Sequence, residues 1–173
     1  GGCEVPMDLV RMVRFSQPPP TAAMSALQSW KLEHIMDPVL PETGGQSSPL
    51  LGKEAKDFKL KLLDGAEFEL SKEKGKVVVL DFWATWCGPC VKSLPELIEA
   101  MAGFDPAKVR LIGVNQAESS PVVKTFLEQR GWSLDVALDS VQVVGRQFGV
   151  EGIPHTVIIG RDGKIGWVKT GYD

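Results

Sequence analysis

Residues 77–90 read VVVLDFWATWCGPC. The run from Val77 to Trp83 is almost continuously apolar and rich in β-branched side chains, which predicts a strand buried on both faces of a parallel sheet. A turn follows, and then two cysteines three residues apart. The chain holds only one other cysteine, Cys3, so Cys87 and Cys90 do not belong to a disulfide-rich scaffold. A helix opening just after Cys87 would aim unpaired backbone N–H groups and its positive dipole end at that sulfur, favouring thiolate over thiol. Cys87 is therefore the expected nucleophile. Cys90 comes nearly one turn later, so both sulfurs would share a face within the roughly 4.4–6.8 Å Cα separation that a disulfide tolerates. It is the expected resolving thiol. Pro89 suits the first helical turn, where the N–H it lacks would be unpaired anyway, and Pro95 falls in the helix interior, where it should bend the helix.

Asp81 interrupts the apolar strand. An ionised carboxylate there is costly unless it has a partner or a task. Six residues before Cys87, it could sit beneath the start of the helix and take the proton from Cys90. The other reading is an acid on a strand face that stays wet. For the cysteine pair, the alternative is half of a zinc site. Four ligands are needed for a structural zinc, and the chain offers neither a second Cys-x-x-Cys nor a His-x-x-x-His.

Outward from this segment the elements alternate. Phe58, Leu60 and Leu62 alternate with polar residues, Asp64-Gly65 supplies a turn, and Phe68 and Leu70 resume the alternation, so a β-hairpin is expected. A helix is predicted from about Cys90 to Met101, a buried strand over Val109–Val114, and a helix over Val122–Gln129. A short extended piece follows near Leu134, then a short helix over Val141–Phe148. Thr156–Ile159 and Lys164–Lys169 flank Asp162-Gly163 as a closing hairpin. Strands alternating with helices give an α/β domain with a central mixed sheet.

Before residue 50 the composition changes. Pro18-Pro19-Pro20, Pro38, Pro41, Gly44-Gly45 and Ser47-Ser48-Pro49 punctuate the chain, and only Thr21–Glu33 has the cap and spacing of a short helix. The expected organisation is an irregular Pro/Gly-rich extension over 1–50 and one folded domain over 51–173. With 43% hydrophobic and 24% charged residues among 173, the chain has the balance of a globular protein. A net charge of -3 without a basic run excludes nucleic acid as a main partner. No apolar run approaches the roughly 20 residues of a membrane helix.

The segment VLDFWATWCGPC resembles the active site of the thioredoxin superfamily. Asp81, Trp86, Cys87, Gly88, Pro89, Cys90 and Pro95 all match that pattern. Downstream, VEGIPHTVIIGRDGKI resembles the family's cis-proline loop, with Pro154 in the proline place. The resemblance implies a loop facing the cysteines, and a backbone at Ile153 that pairs with an extended substrate segment. The hairpin before the site, together with VRLIGVNQAESSPVVKTFLEQRGW, looks more like the TlpA/ResA branch of tethered extracytoplasmic thiol-disulfide reductases than like plain thioredoxin. It covers roughly residues 51–170.

Three departures stand out. Ser93 occupies a position where some branch members carry Glu, while the buried acid those members lack is present as Asp81. His155 follows the proline, and it is expected near Cys87, tuning the thiolate and contacting substrate, or else as a solvent-facing loop residue. The chain also stops at Tyr172-Asp173 without the family's last helix, so either it is truncated or the Thr21–Glu33 segment covers the open sheet face. Trp86 is expected to shape the substrate surface, Trp83, Trp132 and Trp167 to lie in or near the core, and Trp30 to belong to the extension. Glu118 is expected to be a solvated carboxylate.

Gly1-Gly2 resembles a cloning leftover more than a natural start, so a targeting signal is expected to have been lost. Cys3 is expected to be a free tail thiol, with a lipoprotein anchor as the other reading. The function these residues imply is a thiol-disulfide oxidoreductase working as a reductase of protein disulfides. It would need no cofactor beyond the cysteine pair, and would act outside the cytoplasm with an upstream thiol electron donor. A disulfide-forming oxidant is one alternative. Another is a copper-delivery module using Cys87, Cys90 and His155. A peroxidase is disfavoured because Thr85 does not have the required spacing to the cysteine.

Overall fold

A computed structural model describes residues 46–172. The expected helix over Thr21–Glu33, Trp30 and Cys3 lie outside the described residues. Among the described residues there are seven strands and three α-helices, with a 3-10 helix over Leu70–Glu73: β1 (Lys59–Lys61), β2 (Glu67–Glu69), β3 (Val77–Trp83), α1 (Gly88–Met101), β4 (Val109–Gln116), α2 (Ser120–Arg130), β5 (Val136–Asp139), α3 (Val143–Gln147), β6 (His155–Ile159) and β7 (Ile165–Thr170). The main sheet has the order β5-β4-β3-β6-β7. β4 runs parallel to both β3 and β5, whereas β6 is antiparallel to β3 and to β7. The chain thus has the mixed sheet and flanking helices expected of a thioredoxin-like α/β fold.

β3 lies at the centre, and all seven of its residues are buried. Alternation splits them between two cores. Val77, Val79 and Trp83 pack with Cys90, Leu94 and Leu97 of α1, Val123 and Leu127 of α2, Ile158 and Trp167. Val78, Leu80 and Phe82 point to the other face, against Phe58, Phe68, Val144, Phe148 and Val157. Each such fully buried side chain contributes about 1.5–3 kcal/mol by leaving water. Truncating Leu80 or Leu94 to Ala is therefore expected to cost about 2–5 kcal/mol.

The first hairpin forms where the Asp64-Gly65 turn predicts it. Gly65 adopts φ +91°, and the Ala66 N–H donates to the Asp64 carboxylate at 2.9 Å. The hairpin forms a two-stranded sheet of its own. Its far end docks on β5 through Leu63 N–H to the Val136 carbonyl at 3.0 Å, which covers that edge of the main sheet.

The opposite edge is covered by chain that composition alone assigns to the linker. Gln46 N–H donates to the Val168 carbonyl at 2.8 Å, and the Gln46 side chain bonds both the N–H and the carbonyl of Thr170. Gly52 and Lys53 continue this pairing along Ile165. α2 ends where Gly131 turns left-handed at φ +64°, so its N–H and that of Trp132 close on the carbonyls of Glu128 and Leu127. α1 runs through Pro95 as one helix and opens directly after Cys87.

Candidate active site

Cys87 caps α1. Its backbone is extended, at φ -84° and ψ 100°, while its sulfur accepts the Cys90 N–H at 3.2 Å. A sulfur thus takes the place an Asp or Ser oxygen usually fills at a helix N-terminus. Gly88 and Pro89 form the first turn, and neither competes for the sulfur, since Gly88 has no side chain and Pro89 no N–H. The two cysteines form a disulfide, with Cα atoms 5.2 Å apart. Cys87 is 5% exposed and Cys90 is fully buried, so an incoming reagent meets Cys87 first. Ser93 is buried behind them and donates to the Cys90 carbonyl at 3.1 Å.

Ile153–Pro154 is a cis peptide, and the Ile153 carbonyl oxygen lies 3.6 Å from the Cys87 sulfur. The loop before β6 therefore flanks Cys87. Trp86, next to Cys87 in the chain, stands 70% exposed.

Asp81 is 1% exposed, which removes the wet-face reading. It lies between Val79 and Trp83 on β3, so alternation turns it to the face that carries Cys90 and Leu94. Its Oδ1 accepts the Thr156 hydroxyl at 2.8 Å. Oδ2 has no hydrogen-bond partner among the described residues. Burial raises the carboxyl to about 7, and the Thr156 hydroxyl opposes that rise.

His155 is not in solvent, and its ring does not take the sheet face of the cysteines. It pairs with Phe82 across the β3–β6 ladder, with ring centroids 5.8 Å apart, and so points to the sheet face opposite the cysteines. It is 3% exposed, and its Nδ1 lies 2.7 Å from the Thr170 hydroxyl. Burial lowers its pKa to about 4, with the Phe148 carbonyl opposing. The solvent-facing reading is thereby removed, and the ring stands on the side of the sheet away from the one its expected thiolate-tuning and substrate-contacting role would use. The three ligands of the copper reading, Cys87, Cys90 and His155, are likewise not brought to one face of the sheet.

Glu118 is a second correction. Instead of standing in water, its carboxylate accepts the Thr85 N–H at 2.8 Å and the Asn115 amide at 2.7 Å, and the Thr85 hydroxyl also donates to it. Ala117, at φ 59°, turns the chain there. A non-glycine residue in that conformation is uncommon and persists only where its surroundings hold it. The cluster anchors the strand-to-helix turn two residues before Cys87. Beside it opens a groove of about 440 Å³ lined by Thr85, Pro121, Val122, Thr125, Phe126 and Gln129. Among the other tryptophans, Trp83 and Trp167 are buried, and Trp132 packs half-buried against Phe126.

The model of the AhpC/TSA family matches residues 51–168. The chain belongs to that family. Among its curated relatives is the thiol-disulfide oxidoreductase ResA of Bacillus anthracis, 37% identical over 115 residues. That match covers 66% of this chain and 66% of the relative's length. Of solved structures, a candidate thiol:disulfide interchange protein DsbE from Chlorobium tepidum is 34% identical with a TM-score of 0.66. The match covers 71% of this chain and 86% of that one. A secreted disulfide oxidoreductase of Mycobacterium tuberculosis, homologous to DsbE, is 25% identical with a TM-score of 0.56, covering 62% and 79%. This AhpC/TSA member thus sits among thiol-disulfide oxidoreductases, with a Cys87–Cys90 pair at disulfide distance. None of the described helices is long and apolar enough to cross a membrane.

Proposed function

We propose that this chain is a reductase of protein disulfides, cycling Cys87 and Cys90 between dithiol and disulfide. The Cys87 thiolate attacks a substrate disulfide, releasing one substrate cysteine and leaving a mixed disulfide on Cys87. Asp81 takes the proton of Cys90. The Cys90 thiolate then attacks the Cys87 sulfur, the second substrate cysteine leaves as a thiolate, and the Cys87–Cys90 disulfide closes. Two electrons pass from the protein to the substrate, so an upstream thiol donor must return the site to the dithiol. The cysteine pair is the only redox group this cycle requires.

The observation that carries the reading is the nucleophile's sulfur capping α1, 3.2 Å from the Cys90 N–H, with the resolving sulfur one turn on. Gly88-Pro89 between the cysteines is the spacer that resembles the reducing members of the superfamily. The substrate is an extended segment of an oxidised protein, lying against the Ile153–Pro154 backbone and Trp86. The likeness to a secreted oxidoreductase supports a site of action outside the cytoplasm.

The test is the reduction potential of the full chain carrying Cys3→Ser, equilibrated with glutathione. A value near the roughly -270 mV of thioredoxin is expected. A value near the roughly -120 mV of DsbA would reverse the direction and make the protein a source of disulfides.

A further inference from the structure

Asp81 and Thr156 form a buried polar pair inside an apolar core. They stand directly opposite each other in the antiparallel β3–β6 register, on the face that carries Cys90. Both are buried, and the Thr156 hydroxyl donates to Oδ1 at 2.8 Å. Oδ2, equally buried, is left without a partner. On the other side of Asp81, β4 presents Gly113, which has no side chain to offer a charge or a hydrogen bond.

We propose that Thr156 is a positioning residue for the proton transfer: by occupying Oδ1 it leaves Oδ2 as the oxygen that takes the Cys90 proton, and it stabilises the carboxylate that must receive it. This rests on Asp81 being the base for Cys90. A hydroxyl donating to a carboxylate favours the ionised form, so Thr156 keeps a buried acid deprotonated at a lower pH than burial alone would permit. Among the described residues, the core on the sheet face that Asp81 shares holds Cys90 of α1, Cys87 at its N-cap and apolar Val123 and Leu127 of α2, and β4 places Gly113 beside Asp81. β7 contributes Lys169, in register with Thr156 one strand further out.

The experiment follows the Asp81 carboxyl by carbon NMR through a pH titration of the reduced full chain, alongside the pH profile of insulin-disulfide reduction. Wild type, Thr156→Val, Thr156→Ser and Asp81→Asn are compared. In Thr156→Val both midpoints are expected to move up by about one pH unit, while Thr156→Ser keeps the wild-type values. A merely structural threonine would change stability and leave the midpoints in place. If Thr156→Val does not fold, Thr156→Ala makes the same comparison. An unmoved midpoint in Thr156→Val or Thr156→Ala, with activity lost in Asp81→Asn, overturns the role of Thr156 and leaves that of Asp81 standing. A pH profile unchanged in Asp81→Asn overturns both.

Discussion

The backbone N–H of Cys90 donates to the sulfur of Cys87 at 3.2 Å. The hydrogen bond and the helix N-terminus both act on one sulfur, and Cys90, fully buried, has neither advantage. The two cysteines therefore differ in reactivity. In the reduced protein carrying Cys3→Ser, iodoacetamide should label Cys87 before Cys90, with a rate midpoint below the roughly 8.5 of a free cysteine. Cys90→Ser should trap substrate as a mixed disulfide on Cys87, and Cys87→Ser should trap none. Mass spectrometry of the labelled peptides reads both outcomes, and preferential labelling of Cys90 would invert the assignment.

Asp81 links the site to stability. Its folded pKa of about 7 lies above the ordinary carboxylate value, so between the two the native state binds more protons than the unfolded state. Stability is then fully present below about pH 4 and is lost as pH rises toward and through 7. Asp81→Asn removes the charged form. It should raise the denaturation midpoint at pH 8 by an amount corresponding to as much as roughly 4 kcal/mol and change it little near pH 4. Urea titrations at the two pH values give the comparison, and equal effects at both would refute it.

His155 has the opposite sign. Its folded pKa of about 4 lies below the ordinary value, so the unfolded state binds more protons and stability falls as pH drops from about 6.5 to 4. His155→Phe should flatten that part of the stability curve. Because the ring lies on the sheet face away from the sulfurs, the same variant should leave the cysteine reduction potential and the Cys87 labelling profile unchanged. A shifted labelling midpoint would return His155 to the site.

Glu118 holds the turn before the nucleophile through Thr85 and Asn115. Glu118→Ala leaves the Thr85 N–H and the Asn115 amide without their acceptor, at a cost of about 1–3 kcal/mol. Since it frees the segment that carries Trp86, kcat/KM for a protein disulfide should fall several-fold, while the potential measured with glutathione stays near that of wild type. A changed potential with unchanged kcat/KM would show that Glu118 acts on the sulfurs and not on docking.

Local chemistry made much of this chain legible. Continuous β-branched residues over Val77–Trp83 marked the central strand because a strand covered on both faces has no polar side to show. Cys-Gly-Pro-Cys marked the helix start because only there do a missing N–H and a sulfur near unpaired donors both fit. Asp64-Gly65 and Asp162-Gly163 marked turns through glycines that adopt positive φ. The linker composition before residue 50 misled as far as Gln46, whose bonds to β7 depend on an edge strand more than 100 residues away.

Three assignments needed the folded chain. β6 is buried at all five positions, so no alternation of polar and apolar residues reveals which face His155 takes. The register with β3 decides it, setting His155 against Phe82 and Thr156 against Asp81. Glu118 likewise reads as an ordinary loop acid until the sheet brings it to Thr85, 33 residues earlier. By itself the sequence determined the fold class, the reactive pair and the buried acid, because propensity, capping and burial are encoded within a few neighbouring residues. The partners of that acid, the side of the histidine and the anchor of the active-site turn were decided only by tertiary structure, because strand register is a property of two distant segments and is written in neither one alone.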